Sequence, residues 1–168
     1  ACGTLTAGLA AGGWSGTANS ADSEEYDGSS WTEGDNLNTA RRYGGQFGIQ
    51  TSAVLVAGAT GVVAVTEEYN GSSWANGEDC NTAMEHIGAA GTLTAGLKNG
   101  GVSTAASGAT EEYDGTDWTS VNSMNTARRA DATFGTQTAA IAAGGYTTTQ
   151  VASVEEYDGT SWTEIADL

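Results

Sequence analysis

Short apolar runs separated by glycine-rich turns follow one another along the whole chain. The runs are rich in Thr, Val, Ile, Tyr and Trp, and Asp-Gly or Gly-Gly pairs interrupt them. This pattern predicts β-strands joined by tight turns, whereas an amphipathic helical periodicity is hard to find. The run 138–143 is apolar at both alternating faces, which is typical of a strand buried between two neighbouring sheets. We therefore expect an all-β fold.

One segment occurs four times, and it organises the chain. Its pattern is Glu-Glu-Tyr-(Asp/Asn)-Gly-x-x-Trp, with successive tyrosines 43 or 44 residues apart. A period of about 40 to 50 residues with room for four short strands is what a β-propeller blade requires. The repeated aromatic residues are Tyr26, Tyr69, Tyr113 and Tyr157, with Trp31, Trp74, Trp118 and Trp162.

Two further markers keep the same register. The segment Asn-Thr-Ala follows each of the first three repeated tryptophans, and Arg-Arg follows it in two cases. A glycine-rich pair, such as Gly144-Gly145, precedes each repeated tyrosine. In the last unit we place strands A to D near 128–135, 138–144, 154–157 and 162–166. Between C and D the pair Asp158-Gly159 predicts a hairpin turn, because both residues tolerate positive φ.

These markers resemble the kelch repeat, in which a Gly-Gly ends the second strand and a Tyr and then a Trp follow. All four units match over essentially the whole chain, although the interval from Tyr to Trp is shorter than the usual kelch one. The repeat sequence is also similar to kelch-like repeats in structural proteins of marine bacteriophages. The similarity lies in Glu-Glu-Tyr-Asp-Gly-(Ser/Thr)-(Ser/Asp)-Trp together with Asn-Thr-Ala-Arg. The resemblance implies one kelch-like propeller, or a segment of one, spanning 1–168. Its four-stranded antiparallel blades would cover about 1–37, 38–80, 81–124 and 125–168.

The first unit lacks most of its strand A, and a fourth Asn-Thr-Ala would begin directly after Leu168. Three arrangements are open: a window on a larger propeller of about six to eight blades, a ring closed by copies of the chain, or a small four-bladed ring. We expect the first, because an isolated inner strand would otherwise leave an exposed edge. A β-solenoid or a trimeric fibre is a further alternative. The single Tyr and Trp in each unit disfavour it.

The charge narrows the range of partners. With 21 acidic and 5 basic side chains the formal net charge is −16, which repels nucleic acid and anionic membranes. Charge repulsion of this size is best tolerated where salt screens it, as in an extracellular medium.

No apolar run approaches the roughly 18 residues of a transmembrane helix. Cys2 and Cys80 occupy different positions of the repeat, so we expect two free thiols.

Candidates for catalysis or metal binding are few. His86 is the only histidine, and one imidazole cannot build a triad or a His-based metal site. Copper-oxidase propellers need several such ligands, so an enzyme is the least favoured class. The Asp at the C–D turns could suggest Ca²⁺, but one Asp per turn is better explained by turn chemistry. We predict no catalytic residue, no metal ligand and no cofactor.

Each repeat carries a Glu pair, for example Glu155-Glu156, and the repetition argues against paired catalytic carboxylates. Adjacent strand residues point to opposite faces. We expect one Glu of each pair to bind an Arg or a backbone amide and the other to face solvent. The arginines that follow Asn-Thr-Ala would then serve ion pairs. A ring of Arg that binds an anion is the alternative, which Met84-Glu85 interrupts in one unit.

The loops between strands B and C differ among the units while the strands stay alike. These loops, at 14–23, 60–66, 102–110 and 146–154, are candidates for binding specificity. In kelch-like propellers they share one face with the D–A connections, and they could equally be only solvated or contact a neighbouring subunit. The candidate binding residues on that face are Trp14, Asn38, Arg41, Asn81, His86, Asn125, Arg128 and Tyr146.

The favoured hypothesis is a non-enzymatic structural or binding module of a phage virion, in a tail fibre or a surface decoration. It would contact a host glycan, other structural proteins of the virion or copies of itself, and it would lie at the virion surface or outside the cell. A secreted or cell-surface bacterial adhesion or carbohydrate-binding domain is the alternative.

Overall fold

A computed structural model describes all residues from 1 to 168 and contains only β-structure. Sixteen strands form four antiparallel sheets of four strands each, which confirms the expected all-β class. Sheet 1 holds β1 (Cys2–Thr4), β2 (Ala7–Trp14), β3 (Asn19–Tyr26) and β4 (Trp31–Glu33). Sheet 2 holds β5 (Gly45–Ile49), β6 (Ser52–Val56), β7 (Thr66–Tyr69) and β8 (Trp74–Asn76). Sheet 3 holds β9 (Gly88–Thr92), β10 (Ala95–Asn99), β11 (Thr110–Tyr113) and β12 (Trp118–Val121). Sheet 4 holds β13 (Ala132–Thr136), β14 (Ala139–Ala143), β15 (Val154–Tyr157) and β16 (Trp162–Ile165).

Every sheet is a simple meander in which each strand pairs with the next one along the chain. The strands of sheet 4 agree with the four expected there, with differences of at most four residues at their ends. The A–B hairpins are tight because a glycine with positive φ sits at each of them. At Gly91, with φ of 118°, an added Cβ would lie 2.2 Å from the carbonyl oxygen of Ala95. Only glycine fits that close approach.

The four sheets pack side by side through their first strands, in the order β1, β5, β9 and β13. This is a propeller-like arrangement of four blades, but sheet 4 does not return to sheet 1 and the ring is not closed. Two lateral sheet faces, one at each end of the row, therefore have no neighbouring sheet.

No helix in the structure has the length and apolar character needed to span a bilayer.

Sheet 1 differs from the others in two ways. Its inner strand β1 has three residues, whereas β5, β9 and β13 have five each. Its β2–β3 hairpin continues beyond the point where the other B and C strands separate, with Trp14 paired to Asn19 after a register shift between Ala11 and Gly13. The expected loop 14–23 is thus wrong except at 15–18, because Trp14 ends β2 and β3 begins at Asn19. The small polar residues of this segment do not show the alternating apolar pattern that predicts a strand.

Candidate binding face and blade interfaces

The repeated Tyr and Trp bind each sheet to the one before it. Trp118 Nε1 donates a hydrogen bond to Thr66 Oγ1 of the preceding sheet at 3.0 Å, and Trp162 does the same to Thr110. Trp74 donates to Ser23 in the same way. In every sheet the tryptophan also packs against the tyrosine of its own sheet, with ring centroids about 5 Å apart. The expected role of these residues in blade packing is confirmed.

The tyrosine hydroxyl makes the second contact between sheets. Tyr157 donates to Glu112 of the preceding sheet at 2.9 Å, and Tyr113 and Tyr69 donate to the equivalent Glu68 and Glu25. Burial and the nearby Glu25 carboxylate raise the pKa of Tyr69 to about 12. The expectation that the second Glu of each pair faces solvent is wrong at these three positions, because the neighbouring tyrosine covers it. At Glu156, which no later sheet covers, the side chain is exposed.

The first Glu of the pair is buried in sheets 2, 3 and 4, where it anchors the connection that enters its own sheet. Glu155 accepts hydrogen bonds from the backbone amides of Asn125 and Thr126, and Arg128 lies 3.3 Å away. Glu67 holds Asn38 and Arg41 in the same way in sheet 2. The expected pairing of one Glu with an Arg or a backbone amide is therefore confirmed in both sheets. In sheet 1 the equivalent residue, Glu24, is exposed.

Sheet 3 places its buried cation differently. Met84 stands where sheets 2 and 4 have Arg41 and Arg128, and the positive charge comes from Lys98 on the second strand, directly opposite Glu111. Lys98 Nζ lies 2.9 Å from Glu111 Oε1, with both side chains 1% exposed. The equivalent residue of sheet 2 is Leu55. Cation and aliphatic side chain have exchanged places around a constant glutamate.

A polar network without an equivalent in the other sheets joins sheets 3 and 4. Asn99 Nδ2 donates to Asp131 Oδ2 at 2.7 Å, and the Thr133 hydroxyl lies within hydrogen-bond distance of both side chains. All three side chains are at least partly buried, and desolvation raises the pKa of Asp131 above its ordinary value. The network fixes how these two sheets meet.

The outer C–D turns are stabilised by the Asp or Asn that begins them. Asp158 Oδ1 accepts hydrogen bonds from the amides of Thr160 and Ser161, and Asp27 accepts the equivalent bonds from Ser29 and Ser30. Amide and hydroxyl donors to Asp27 lower its pKa to about 2. The turn role expected of these residues is confirmed.

The two cysteines are free, as expected, and burial raises the pKa of the Cys80 thiol to about 11.

The sheet faces at the two ends of the row are halves of the interface seen between the sheets. At the sheet 1 end, Trp31 is 53% exposed, whereas its equivalents Trp74, Trp118 and Trp162 are 5–6% exposed. A groove of about 250 Å³ on the same face is lined by Asp22 and Glu24, among others. We call this surface, carrying Tyr26, Trp31 and Glu24, the leading face.

The other end of the row complements it. Phe134 is 58% exposed, whereas Phe47, its equivalent in sheet 2, is 3% exposed and packs edge-on against Trp118 of the next sheet. Glu156 occupies the position of the glutamates that accept a tyrosine hydroxyl elsewhere. We call this surface, carrying Phe134, Val154 and Glu156, the trailing face. Val154 replaces the Ser or Thr that accepts the tryptophan N–H in the other sheets.

The B–C loops and the start of each strand A share one face, as the resemblance implied. Arg42 pairs with Ala59, Glu85 with Val102 and Arg129 with Tyr146 in isolated β-bridges. Hydrogen bonds from His86 N to Tyr43 O at 2.8 Å and from Ala130 N to His86 O at 2.7 Å connect three successive sheets there. Tyr43, His86 and Ala130 all have φ between 54° and 61°, a left-handed conformation that is costly for non-glycine residues.

The predicted binding residues divide into two groups. Arg41 and Arg128 are no more than 1% exposed, so neither is available to a surface ligand. The amides of Asn38, Asn81 and Asn125 are used within the blades, where each donates to the backbone oxygen of a repeated tryptophan.

Trp14, His86 and Tyr146 do lie on the shared face, together with two arginines that the sequence prediction did not select. Arg42 stacks on Trp14, with 4.3 Å from Cζ to the ring centroid, and Arg129 stacks on Tyr146 at 5.0 Å. Tyr43 and His86 stack with centroids 3.9 Å apart. We call the group of Trp14, Arg42, Tyr43, His86, Arg129 and Tyr146 the cationic rim.

Comparison with models of known protein families finds none that matches this chain, and comparison with curated proteins finds no similar one.

Proposed function

We propose that this chain is a non-enzymatic kelch-like module that assembles side by side with further blades, as a structural and binding component of a phage virion. The sequence of the repeat is similar to that of marine phage structural proteins. This similarity supports a place in the virion, in a tail fibre or surface decoration. A host glycan or neighbouring structural proteins would be its partners, at the virion surface or outside the cell.

The observation that carries the assembly role is the pair of complementary end faces. The same interface is made three times, between sheets 1 and 2, 2 and 3, and 3 and 4. The leading face offers the donors of that interface, Tyr26 and Trp31. The trailing face offers its acceptor Glu156 and its packing residue Phe134. A head-to-tail contact of this kind closes into a ring or continues as a filament.

The occupant we propose for each face is a second copy of the chain, because each face is complementary to the other. Burying the exposed halves of Trp31 and Phe134 removes about 100 Å² of largely apolar surface each, or about 2.5 kcal/mol per side chain at about 25 cal/mol per Å². Val154 weakens the contact, since a docked Trp31 would find a methyl group where the other sheets supply a hydroxyl.

Sedimentation analysis across a concentration series tests this assembly. We expect the wild-type chain to associate as its concentration rises, and Trp31→Ser and Phe134→Ser to remain monomeric with an unchanged fold. Tyr146→Ser is the matched control, because it removes an exposed aromatic side chain away from both end faces. Val154→Thr supplies the missing acceptor and strengthens association about fivefold, from about 1 kcal/mol for one hydrogen bond. A wild-type chain that stays monomeric throughout would show that the end faces do not pair.

The alternative is a secreted or cell-surface adhesion domain that binds carbohydrate. Exposed aromatic rings beside unpaired arginines on the cationic rim favour it, because such rings and donors suit sugar surfaces. Peptide mapping of purified virions against the host's secreted proteins separates the two settings. Peptides of this chain found among capsid and tail proteins support the virion, and peptides found only in the secreted fraction contradict it.

A further inference from the structure

Two of the five basic residues have no acidic partner. The other three lie in the buried pairs Arg41–Glu67, Lys98–Glu111 and Arg128–Glu155. Arg42 and Arg129 make no salt bridge within 4 Å, and neither guanidinium donates a hydrogen bond to the protein. Arg42 Nε is even buried without a partner. In a chain with 21 carboxylate side chains, two unpaired arginines are unexpected.

Both arginines lie on the cationic rim, at equivalent positions of sheets 2 and 4. Each is the residue directly before the left-handed position, which is Tyr43 in sheet 2 and Ala130 in sheet 4. The backbone bonds through His86 connect these positions across sheet 3. Desolvation lowers the pKa of His86, Glu85 opposes this, and both guanidiniums lie close enough to lower the pKa further.

Aromatic rings fix the orientation of the guanidiniums. Arg42 lies 4.3 Å from the Trp14 centroid and 5.0 Å from that of Tyr43, and Arg129 lies 5.0 Å from that of Tyr146. Stacking covers the flat face of a guanidinium and leaves its in-plane N–H groups free, in the geometry that a carboxylate accepts. Because the stacking rings are themselves exposed, the surface around the donors is open to a large ligand.

We propose that the cationic rim binds an acidic polysaccharide through carboxylates that reach Arg42 and Arg129. The rim is an open surface across all four sheets, so it suits a chain of sugars better than one small anion. Glu85 holds the position between the two arginines and repels a carboxylate placed there. The rim therefore selects a ligand whose acidic groups are spaced apart. This inference deepens the binding part of the proposed function, and it rests on Arg42 and Arg129 rather than on the end-face residues Trp31 and Phe134.

Calorimetry at low ionic strength with defined probes tests the proposal. The probes are a galacturonic acid oligomer of about six residues, the same oligomer with its carboxyl groups reduced to alcohols, and free galacturonic acid. We expect the acidic oligomer to bind and the other two to bind at least about tenfold more weakly, since a monomer reaches one arginine only. Arg42→Gln and Arg129→Gln each weaken binding of the oligomer about tenfold, as the loss of one charge-assisted contact predicts.

A variant with increased affinity separates a specific site from general charge effects. Glu85→Gln removes the repelling carboxylate from the rim and strengthens binding about fivefold, equal to about 1 kcal/mol. Asp117→Asn, on an outer C–D turn, changes the net charge by the same amount and leaves the affinity unchanged. If these two variants change the affinity equally, long-range electrostatic attraction explains the binding, and the proposal of a specific site is wrong.

Two other outcomes also contradict the proposal. If no variant, including Glu85→Gln, binds the acidic oligomer, the rim is not a saccharide site. The sedimentation result for the end faces then decides the assembly role separately. If hexaglutamate binds more tightly than the oligomer and loses affinity in Arg129→Gln, the ligand of the rim is an acidic protein segment instead.

Discussion

The exchanged cation of sheet 3 allows a swap experiment on the buried charges. Lys98→Leu removes the cation beside Glu111 and leaves a carboxylate that is 1% exposed, with the Asn81 amide at 2.7 Å as a remaining donor. Removing one partner of a buried ion pair typically costs about 3 to 5 kcal/mol. Met84→Arg alone adds a second cation to a site with one carboxylate, so it also destabilises.

The double variant Met84→Arg with Lys98→Leu reproduces in sheet 3 the arrangement that sheet 2 has with Arg41 and Leu55. We expect its free energy of unfolding to lie within about 1 kcal/mol of the wild type, although each single variant loses several. For a chain of this length, a loss of 3 kcal/mol lowers the melting temperature by about 6 to 12 °C. Denaturant unfolding of the four proteins gives the coupling energy directly.

The reverse swap in sheet 2, Arg41→Met with Leu55→Lys, is the matched control. It should behave in the same way, because the glutamate is constant in both sheets. The reasoning fails if Lys98→Leu costs less than about 1 kcal/mol, or if the double variant is no more stable than Lys98→Leu alone. The first result would show that the ion pair contributes little to stability, and the second would show that the two cation positions are not interchangeable.

Two further predictions concern a buried carboxyl and a tight hairpin. Burial raises the native pKa of Asp131 above the unfolded value, so the native state holds this proton more tightly. The side chain then contributes stability at acidic pH that is lost as the pH rises through its native pKa. Against Asp131→Asn, the wild type should gain relative stability from pH 7 to pH 4 in denaturant unfolding, and a constant difference would contradict this. Gly91→Ala should cost at least about 2 kcal/mol more than Gly61→Ala in the same measurement, because both have φ near 115° but only Gly91 has a backbone oxygen within 2.2 Å. If both substitutions lower the free energy of unfolding equally, the hairpin backbone shifts to accommodate the added Cβ.

The strands could be predicted from the sequence because turns and strands carry independent signals in every repeat. The Asp-Gly pairs, the Gly-Gly ends and the fixed Tyr and Trp agree with one another, so four strands per unit follow. The bulged extension of the hairpin at Trp14 could not be predicted, since no such signal marks it.

The roles of neighbouring charged residues were harder to predict. Alternation requires that one of Arg41 and Arg42 point inward, but it does not say which, and the prediction selected the buried one. Lys98 could have been found from Met84, because a repeat that loses its cation at one position and gains one opposite the same glutamate signals an exchange. The bond from each tyrosine to the preceding sheet depends on how sheets pack together, which local patterns do not contain.

The Asn-Thr-Ala segment has a consequence for how such a chain can grow by duplication. Asn38 bonds only to Glu67 and Trp74, within the unit 38–80, so that unit brings its own entry connection with it. The tryptophan and tyrosine of the unit, in contrast, are satisfied by the unit before it. A copied gene segment that begins at the asparagine codon thus carries one complete four-stranded sheet, with one donor face and one acceptor face. It can be inserted where neighbouring units share only the repeated contacts, whereas an insertion between sheets 3 and 4 would separate Asn99 from Asp131. A family of such chains can therefore change its length in steps of one unit.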